Sequence, residues 1–267
     1  MQVVILCGGK GTRIRDVTED IPKPMIPIGG RPILWHIMKG YARHGFKKFI
    51  LCLGYKSWVI KQFFLDYGQI YSDISLDLHA PESLTLHNTG VEDWHLTLAE
   101  TGLDAMTGAR VKRIEKYIQG SHFLLTYGDG VADLDVRALV DFHLRQGKLG
   151  TVTAVQPPGR FGEIELDGPQ VVEFSEKPLL SRGRISAGFF VFHRRFFDRL
   201  PDRADLVLEG EPLQQLARDG QLSAYLHDGF WHCMDNSRDY QYLNQLWDSG
   251  DPPWDTPEPP ALRRSAA

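Results

Sequence analysis

Gly8, Gly9 and Gly11 stand close together in Cys7-Gly-Gly-Lys-Gly-Thr-Arg13, and Pro22-Lys23-Pro24 follows shortly after. Glycines let a backbone turn tightly and approach a ligand. Successive N–H groups in such a turn form a concavity suited to phosphate. Arg13 and Lys23 add two cations, so the stretch predicts a grip on a triphosphate. Two familiar phosphate loops do not fit it. The run G-x-x-x-x-G-K-[ST] is absent, and a G-x-G-x-x-G beginning at Gly9 and Gly11 would need its last glycine where Ile14 stands. A glycine-rich turn by itself is more often structural. Thr12, Arg13 and the proline-bracketed lysine move the reading toward function.

Carboxylates follow at two places. Asp129 lies between Gly128 and Gly130, where an aspartate commonly serves only as a turn residue. Its place just after the apolar run His122–Tyr127 points instead to a metal ligand. Mg²⁺ favours one or two carboxylates, completed by phosphate oxygens and water. Asp235 is the candidate second acid. It also fits a helix N-cap, and the two roles can coexist. Glu176-Lys177-Pro178 alone reads as a solvated strand end. Lys177 could nonetheless donate to a phosphate, and Glu176 could accept from sugar hydroxyls. A phosphate monoester with a second pKa near ~6 is already ionised at neutral pH and needs no general base. What it needs is positioning and cations. The ten histidines form no evident dyad, and His36 and His44 read as helix surface or packing residues.

Elements that could position these groups alternate along the chain. Val3–Leu6, Lys48–Leu53, Ile74–His79, Leu96–Glu100, His122–Tyr127 and Gly150–Val155 read as strands. Pro32–His44, Trp58–Tyr67, Ala109–Ile118 and Val136–Arg145 have helical spacing. The second half is less regular. Gly162–Leu166 and Val171–Ser175 flank a turn at Asp167-Gly168. Gly188–His193 and Ser223–His227 read as strands, Glu211–Arg218 and Arg238–Trp247 as helices. The expected fold is α/β and Rossmann-like: a mostly parallel mixed sheet flanked by helices, with a small β-rich elaboration in the second half. Ligands of such a sheet bind beyond the carboxyl ends of its strands. One domain is expected over 1–250, with an extended or disordered proline-rich tail over 251–267.

Composition excludes several classes. The chain has 267 residues, is 42% hydrophobic and carries a net charge of −4, which suits an ordinary soluble globular protein. No basic stripe favours nucleic acid. Cys7, Cys52 and Cys233 lack disulfide or zinc spacing. No leader-like opening or long apolar span is present, so a cytoplasmic protein without membrane association is expected. Arg110 and Arg113, in a short basic cluster, could meet a phosphorylated ligand, a neighbouring subunit or only solvent.

The motif G-G-x-G-T-R followed by P-K-P resembles that of sugar-phosphate nucleotidylyltransferases. From Met1 to about Trp254 the chain resembles, within that superfamily, the glucose-1-phosphate cytidylyltransferases. The resemblance rests on Pro32-Ile-Leu-Trp-His-Ile-Met-Lys39, Gly54-Tyr55-Lys56, Met106-Thr107-Gly108, Thr126-Tyr127-Gly128-Asp129-Gly130-Val-Ala-Asp133, Pro157-Pro-Gly159-Arg160-Phe-Gly162, Glu176-Lys177-Pro178 and Gly188-Phe-Phe-Val191. It implies that Leu6, Gly8, Gly9, Gly11, Thr12, Thr107, Gly108 and Gly128 hold CTP. Arg13 and Lys23 would be catalytic, and Asp129 and Asp235 would bind Mg²⁺. Tyr127, Glu176, Lys177, Ser186 and Ala187 would hold the acceptor. It also implies in-line attack of a sugar 1-phosphate on the α-phosphate, release of pyrophosphate, and a homo-oligomer.

Two departures from the family pattern fall toward the acceptor. Ile185-Ser186-Ala187-Gly188 replaces Ile-Asn-Gly-Gly, and Asp235-Asn236-Ser237-Arg238 replaces Asp-Thr-Leu-Arg. Ser is shorter than Asn, and Ala restricts backbone that Gly leaves open. They leave open glucose 1-phosphate or a variant acceptor. The same chemistry with UTP or dTTP, and a non-catalytic nucleotide or sugar-phosphate sensor, are the alternatives.

Overall fold

The computed structural model describes residues 1–11, 21–87, 90–157, 163–167, 169–175 and 183–256. The chain opens with β1 (Gln2–Leu6), and a short pair, β2 (Pro27–Ile28) and β3 (Arg31–Pro32), leads into α1 (Ile33–Arg43). Next come β4 (Lys48–Leu53), α2 (Ser57–Leu65), α3 (Tyr67–Ile70), β5 (Asp73–Asp77), β6 (Ala80–His87) and β7 (His95–Glu100). They are followed by α4 (Thr107–Arg113), β8 (His122–Tyr127), β9 (Gly130–Ala132), α5 (Val136–Gln146) and β10 (Gly150–Val155). The second half holds β11 (Glu163–Asp167), β12 (Gln170–Ser175), β13 (Ile185–His193), α6 (Glu211–Arg218), β14 (Leu222–His227), β15 (Trp231–Cys233) and α7 (Ser237–Asp248).

Seven strands make one sheet in the order β14-β10-β13-β8-β1-β4-β7. All neighbours run parallel except β13, which is antiparallel to β8 and β10. The expected mostly parallel mixed sheet is therefore present. The interior strand β1 explains its own composition. Val3 and Ile5 enter the core shared with α1 and α7, while Val4 and Leu6 face the core built with α4 and β13. A strand covered on both faces must be apolar throughout. Each of these side chains contributes roughly 1.5–3 kcal/mol by burial.

Some boundaries differ from the sequence reading. The strand expected over Ile74–His79 ends at Asp77, where the Asp77 carboxylate accepts the His79 N–H at 2.9 Å and turns the chain into β6. This β5–β6 pair stands apart from the main sheet. The helix expected over Ala109–Ile118 stops at Arg113, and a 3₁₀ turn over Glu115–Tyr117 follows. Ile114 and Ile118 still face inward, which is why the spacing reads as one helix. The proline-rich end has an anchor. Trp254 is only 3% exposed and packs on His36 and Phe230, Arg43 donates to its carbonyl at 3.2 Å, and Arg43 also pairs with Asp255.

Candidate functional site

Parallel pairing brings the carboxyl ends of β4, β1 and β8 to one edge, and the glycine loop leaves from the middle of it. Beyond β1 the Cys7 N–H donates to the Cys52 carbonyl at 3.0 Å, and the Tyr55 N–H donates to the Gly8 carbonyl at 3.1 Å. On the other side the Gly128 N–H donates to the Leu6 carbonyl at 3.2 Å. Beneath the loop lies Arg110, 4% exposed. Its guanidinium donates to the carbonyls of Gly8 (2.9 Å), Leu53 (3.0 Å), Gly102 (2.8 Å) and Leu103 (3.2 Å), and to Thr101 Oγ1 (2.8 Å). A Cβ at Gly8 or at Gly54 would overlap that guanidinium, so both positions require glycine. Arg113 donates to the Thr101 carbonyl at 2.5 Å. Arg110 and Arg113 tie α4 to the strand ends beneath the loop, and Arg110 also borders the cavity above it. All of Arg110's hydrogen-bond partners are neutral, and burial pulls its pKa down.

Above the clamp is a cavity of about 420 Å³ lined by Leu6, Gly8, Gly9, Gly11, Lys23, Thr107, Tyr127, Gly128, Asp129 and Asp235, among others. Lys23 sits on a 3₁₀ turn over Lys23–Met25, directly after Pro22. Its Nζ donates to Asp129 Oδ2 at 2.6 Å and Asp235 Oδ1 at 2.8 Å. Burial is the strongest single influence on this ammonium and works to lower its pKa. The pull of Asp129 and then Asp235 outweighs it, and the pKa ends above its ordinary value. Lys23 is therefore a cation at neutral pH.

Asp235 arrives beside Asp129 through local pairing. β15 lies antiparallel to β9 with Cys233 opposite Gly130, and the Met234 N–H donates to the Asp129 carbonyl at 2.8 Å. Helix α7 then begins with a capping box. Asn236 Oδ1 accepts from the N–H groups of Arg238 and Asp239, and Asp239 Oδ2 accepts those of Asn236 and Asp235. The cap is Asn236, not Asp235, which corrects the capping alternative for Asp235. The departure at Asn236-Ser237 consequently belongs to the helix start. Cys233 donates its thiol to Asp235 Oδ2 at 3.2 Å, and burial followed by the Asp235 charge pushes that thiol up to about 12.

A second cavity of about 580 Å³ adjoins the first and shares Tyr127, Asp129 and Asp235 with it. Ser186, Ala187 and Gly188 form one wall, with Trp231 and Cys233 also lining it. Gly188 has a φ of +80°, and a Cβ there would run into the Tyr127 ring, so this glycine is required twice over. Ala187 needs no such freedom. Lys56 is the sole non-glycine residue with positive φ among the described residues, so alanine at 187 is unstrained. Ser186 Oγ accepts the Gly188 N–H at 3.3 Å. Gly108 does not line either cavity; it lets α4 pack on Leu206, where a Cβ would come within 2.8 Å of a side-chain carbon. Tyr127 donates its hydroxyl to Glu209, whose other oxygen accepts from Thr107 Oγ1 at 2.7 Å. Burial, then Glu209, raises the Tyr127 pKa.

The donor set is suited to a hard divalent cation. Two carboxylates within two hydrogen-bond lengths of one another converge on a single cation, and both face the cavity beside the phosphate-suited loop. Among the described residues no group of three or more His, Cys, Asp or Glu side chains is arranged to hold a metal.

Ten of the residues singled out in the sequence thus line one cavity, and Ser186 and Ala187 line its neighbour. Thr12, Arg13, Glu176 and Lys177 lie outside the described residues. Glu209 stands in no motif and is 82 positions from Tyr127, so nothing local marks it. Trp231 lies on a three-residue strand, which carries no periodicity to mark it.

A profile of the nucleotidyl transferase family matches residues 2–245. The chain is 48% identical over 257 residues to a glucose-1-phosphate cytidylyltransferase of Salmonella typhi, covering 96% of this chain and 99% of the relative. It is 43% identical to a probable glucose-1-phosphate cytidylyltransferase of Bacillus subtilis, covering 95% and 99%. Among solved structures, a putative glucose-1-phosphate thymidylyltransferase from Bacillus anthracis superposes with a TM-score of 0.67 at 19% identity, covering 92% and 94%, which is a likeness of fold. HddC from Yersinia pseudotuberculosis superposes with a TM-score of 0.63 at 25% identity, covering 92% and 99%.

Proposed function

The chain belongs to the nucleotidyl transferase family, and we propose that it joins CTP to glucose 1-phosphate, forming CDP-glucose and pyrophosphate. The observation that carries this reading is the Lys23 ammonium held between Asp129 and Asp235 where two adjoining cavities meet. One cavity has the phosphate-suited loop, and the other is open to a phosphorylated acceptor.

In the proposed reaction, backbone N–H groups of Gly8, Gly9 and Gly11 hold the triphosphate, and Arg110 keeps that loop in place from below. An oxygen of the sugar phosphate attacks the α-phosphorus in line. The bond from that phosphorus to the α,β-bridging oxygen breaks, and pyrophosphate leaves with the electron pair. The nucleophile is already ionised, so no protein base is required. Lys23 stabilises charge that grows on the phosphate oxygens, an electrostatic role of the kind that dominates such catalysis. Asp129 and Asp235 would hold Mg²⁺, which when bound supplies further positive charge to those oxygens. Arg13 and Thr12 are assigned to the triphosphate, and Glu176 and Lys177 to the acceptor, by the family pattern. A homo-oligomer in the cytoplasm belongs to the same proposal. No helix among the described residues is long and apolar enough to cross a membrane.

The test is pyrophosphate release from CTP, UTP and dTTP, each with Mg²⁺ and a panel of sugar 1-phosphates. The fastest turnover is expected for CTP with glucose 1-phosphate. Activity confined to another acceptor would reassign the second cavity, and preference for UTP or dTTP would reassign the first. CTP binding without any pyrophosphate release would make the protein a sensor and overturn the proposal.

A further inference from the structure

We propose that Trp231 is the platform on which the acceptor's sugar ring packs in the second cavity, an inference that rests on the reaction proposed above. Side chains alternate along a strand. In β15, Cys233 reaches Asp235, so its face is the one turned to the site. Trp231 shares that face and lines the cavity. His232 and Asp239 also line this cavity, with His232 Nε2 3.0 Å from Asp239 Oδ1 and the His232 ring against Tyr242 of α7.

The indole is held in place rather than free to swing. Its Nε1–H donates to the Ala187 carbonyl at 2.9 Å, which ties β15 to β13 across the cavity. With its one polar atom satisfied, the remainder of the ring offers an apolar surface, and aromatic rings combine large contact area with little entropy to lose. On the β13 wall Ser186 Oγ accepts the Gly188 N–H and keeps its own O–H to donate, Ala187 is 6% exposed, and the Ala187 carbonyl accepts from Trp231. A hexopyranose has an apolar face of ring C–H groups and a polar rim. The phosphate would lie toward Lys23, Asp129 and Asp235, leaving the ring toward Trp231. The acceptor class is therefore a hexopyranose 1-phosphate recognised on this side by its ring face.

The experiment compares wild type with Trp231→Ala and Trp231→Phe. Trp231→Ala is expected to raise the KM for glucose 1-phosphate about tenfold or more, with kcat and the KM for CTP within about twofold. Trp231→Phe keeps an aromatic face and is expected to recover most of the loss. An unchanged acceptor KM, an equal rise in both KM values, or a phenylalanine variant as impaired as the alanine one would overturn the platform. A second measurement stands apart from turnover. Glucose, galactose and mannose 1-phosphates are titrated without nucleotide while tryptophan fluorescence is read, with Trp231→Phe as the reference. A sugar-dependent change present in wild type and lost in Trp231→Phe supports the platform even if no CTP is consumed. The same change with inorganic phosphate alone, or no change with any sugar phosphate, overturns it. Failure of turnover with an intact fluorescence response would count against the proposed reaction only.

Discussion

A lysine ammonium shared by two carboxylates holds like charges together in a partly buried place. Lys23 does this for Asp129 and Asp235, at 2.6 and 2.8 Å. Its raised pKa keeps it charged at neutral pH, so the three groups carry one net negative charge before any ligand arrives. Replacing Lys23 with alanine removes the cation and leaves the two carboxylates facing one another. Such a change should lower turnover by about 10²-fold or more, the usual cost of losing a preorganised charged group. Asp129→Asn should lose a similar factor, and it should also raise the Mg²⁺ concentration that gives half the maximal rate. Pyrophosphate release measured across a Mg²⁺ titration checks both, with thermal melting as the control for folding. Near wild-type turnover for Asp129→Asn would remove it from the reacting centre. Sequence alone pointed to Lys23 between two prolines and Asp129 between two glycines, and to Asp235 as the candidate second acid. It did not reveal that they touch, since 106 and 212 positions separate Lys23 from its partners.

At the level of elements, the long periodic segments were readable and the short ones were not. β1, β4, β8 and α1 carry enough consecutive apolar residues to declare their period, and the structure places them within a residue or two of the expected bounds. β9 and β15 have three residues each, too few for any period, yet their pairing is what carries Asp235 to Asp129. The start of α7 shows how such a short link is stabilised. Asn236 caps the helix, and Asp239 returns to the N–H groups of Asn236 and Asp235, so the helix start fixes the backbone of a candidate ligand. Asn236→Ala should therefore cost about 1 kcal/mol in stability, as cap removal generally does. It should also lower turnover, because the backbone at Asp235 is then less firmly fixed. Asn236→Ser retains a capping oxygen and should recover both. Urea unfolding paired with steady-state rates separates these effects: a stability loss with wild-type turnover would mean that the cap serves the helix only.

Across the whole molecule, the segment after α7 meets α1 at a single histidine. His36 lies on α1, and its Nε2 is 2.9 Å from the Ile28 carbonyl, which can only accept, so Nε2 carries the proton. Its Nδ1 accepts from the Trp254 indole at 3.4 Å, with Trp247 also against the ring. The neutral imidazole is thus required on both sides. Burial lowers its pKa from the usual 6.5 to about 4. The sign follows from that depression. Unfolded chain binds the proton more readily, so His36 contributes its full stability above about pH 6.5 and loses it as pH falls toward 4. The slope is about 1.4 kcal/mol per pH unit between those limits. His143, also lowered to about 4 by burial and then by His122 and His193, adds a second slope far from Trp254 in sequence. Trp254→Ala should cost about 3–5 kcal/mol at neutral pH, the range for deleting a buried aromatic. It should also open His36 to water, letting its pKa rise, so the variant's stability falls less steeply with acid than that of wild type. Urea midpoints at pH 7, 6 and 5 test this, with the His143 contribution common to both proteins. Parallel curves for the two proteins would mean that Trp254 packs on His36 without setting its protonation. Converging curves would show that acid weakens the molecule where its C-terminal segment closes over α1.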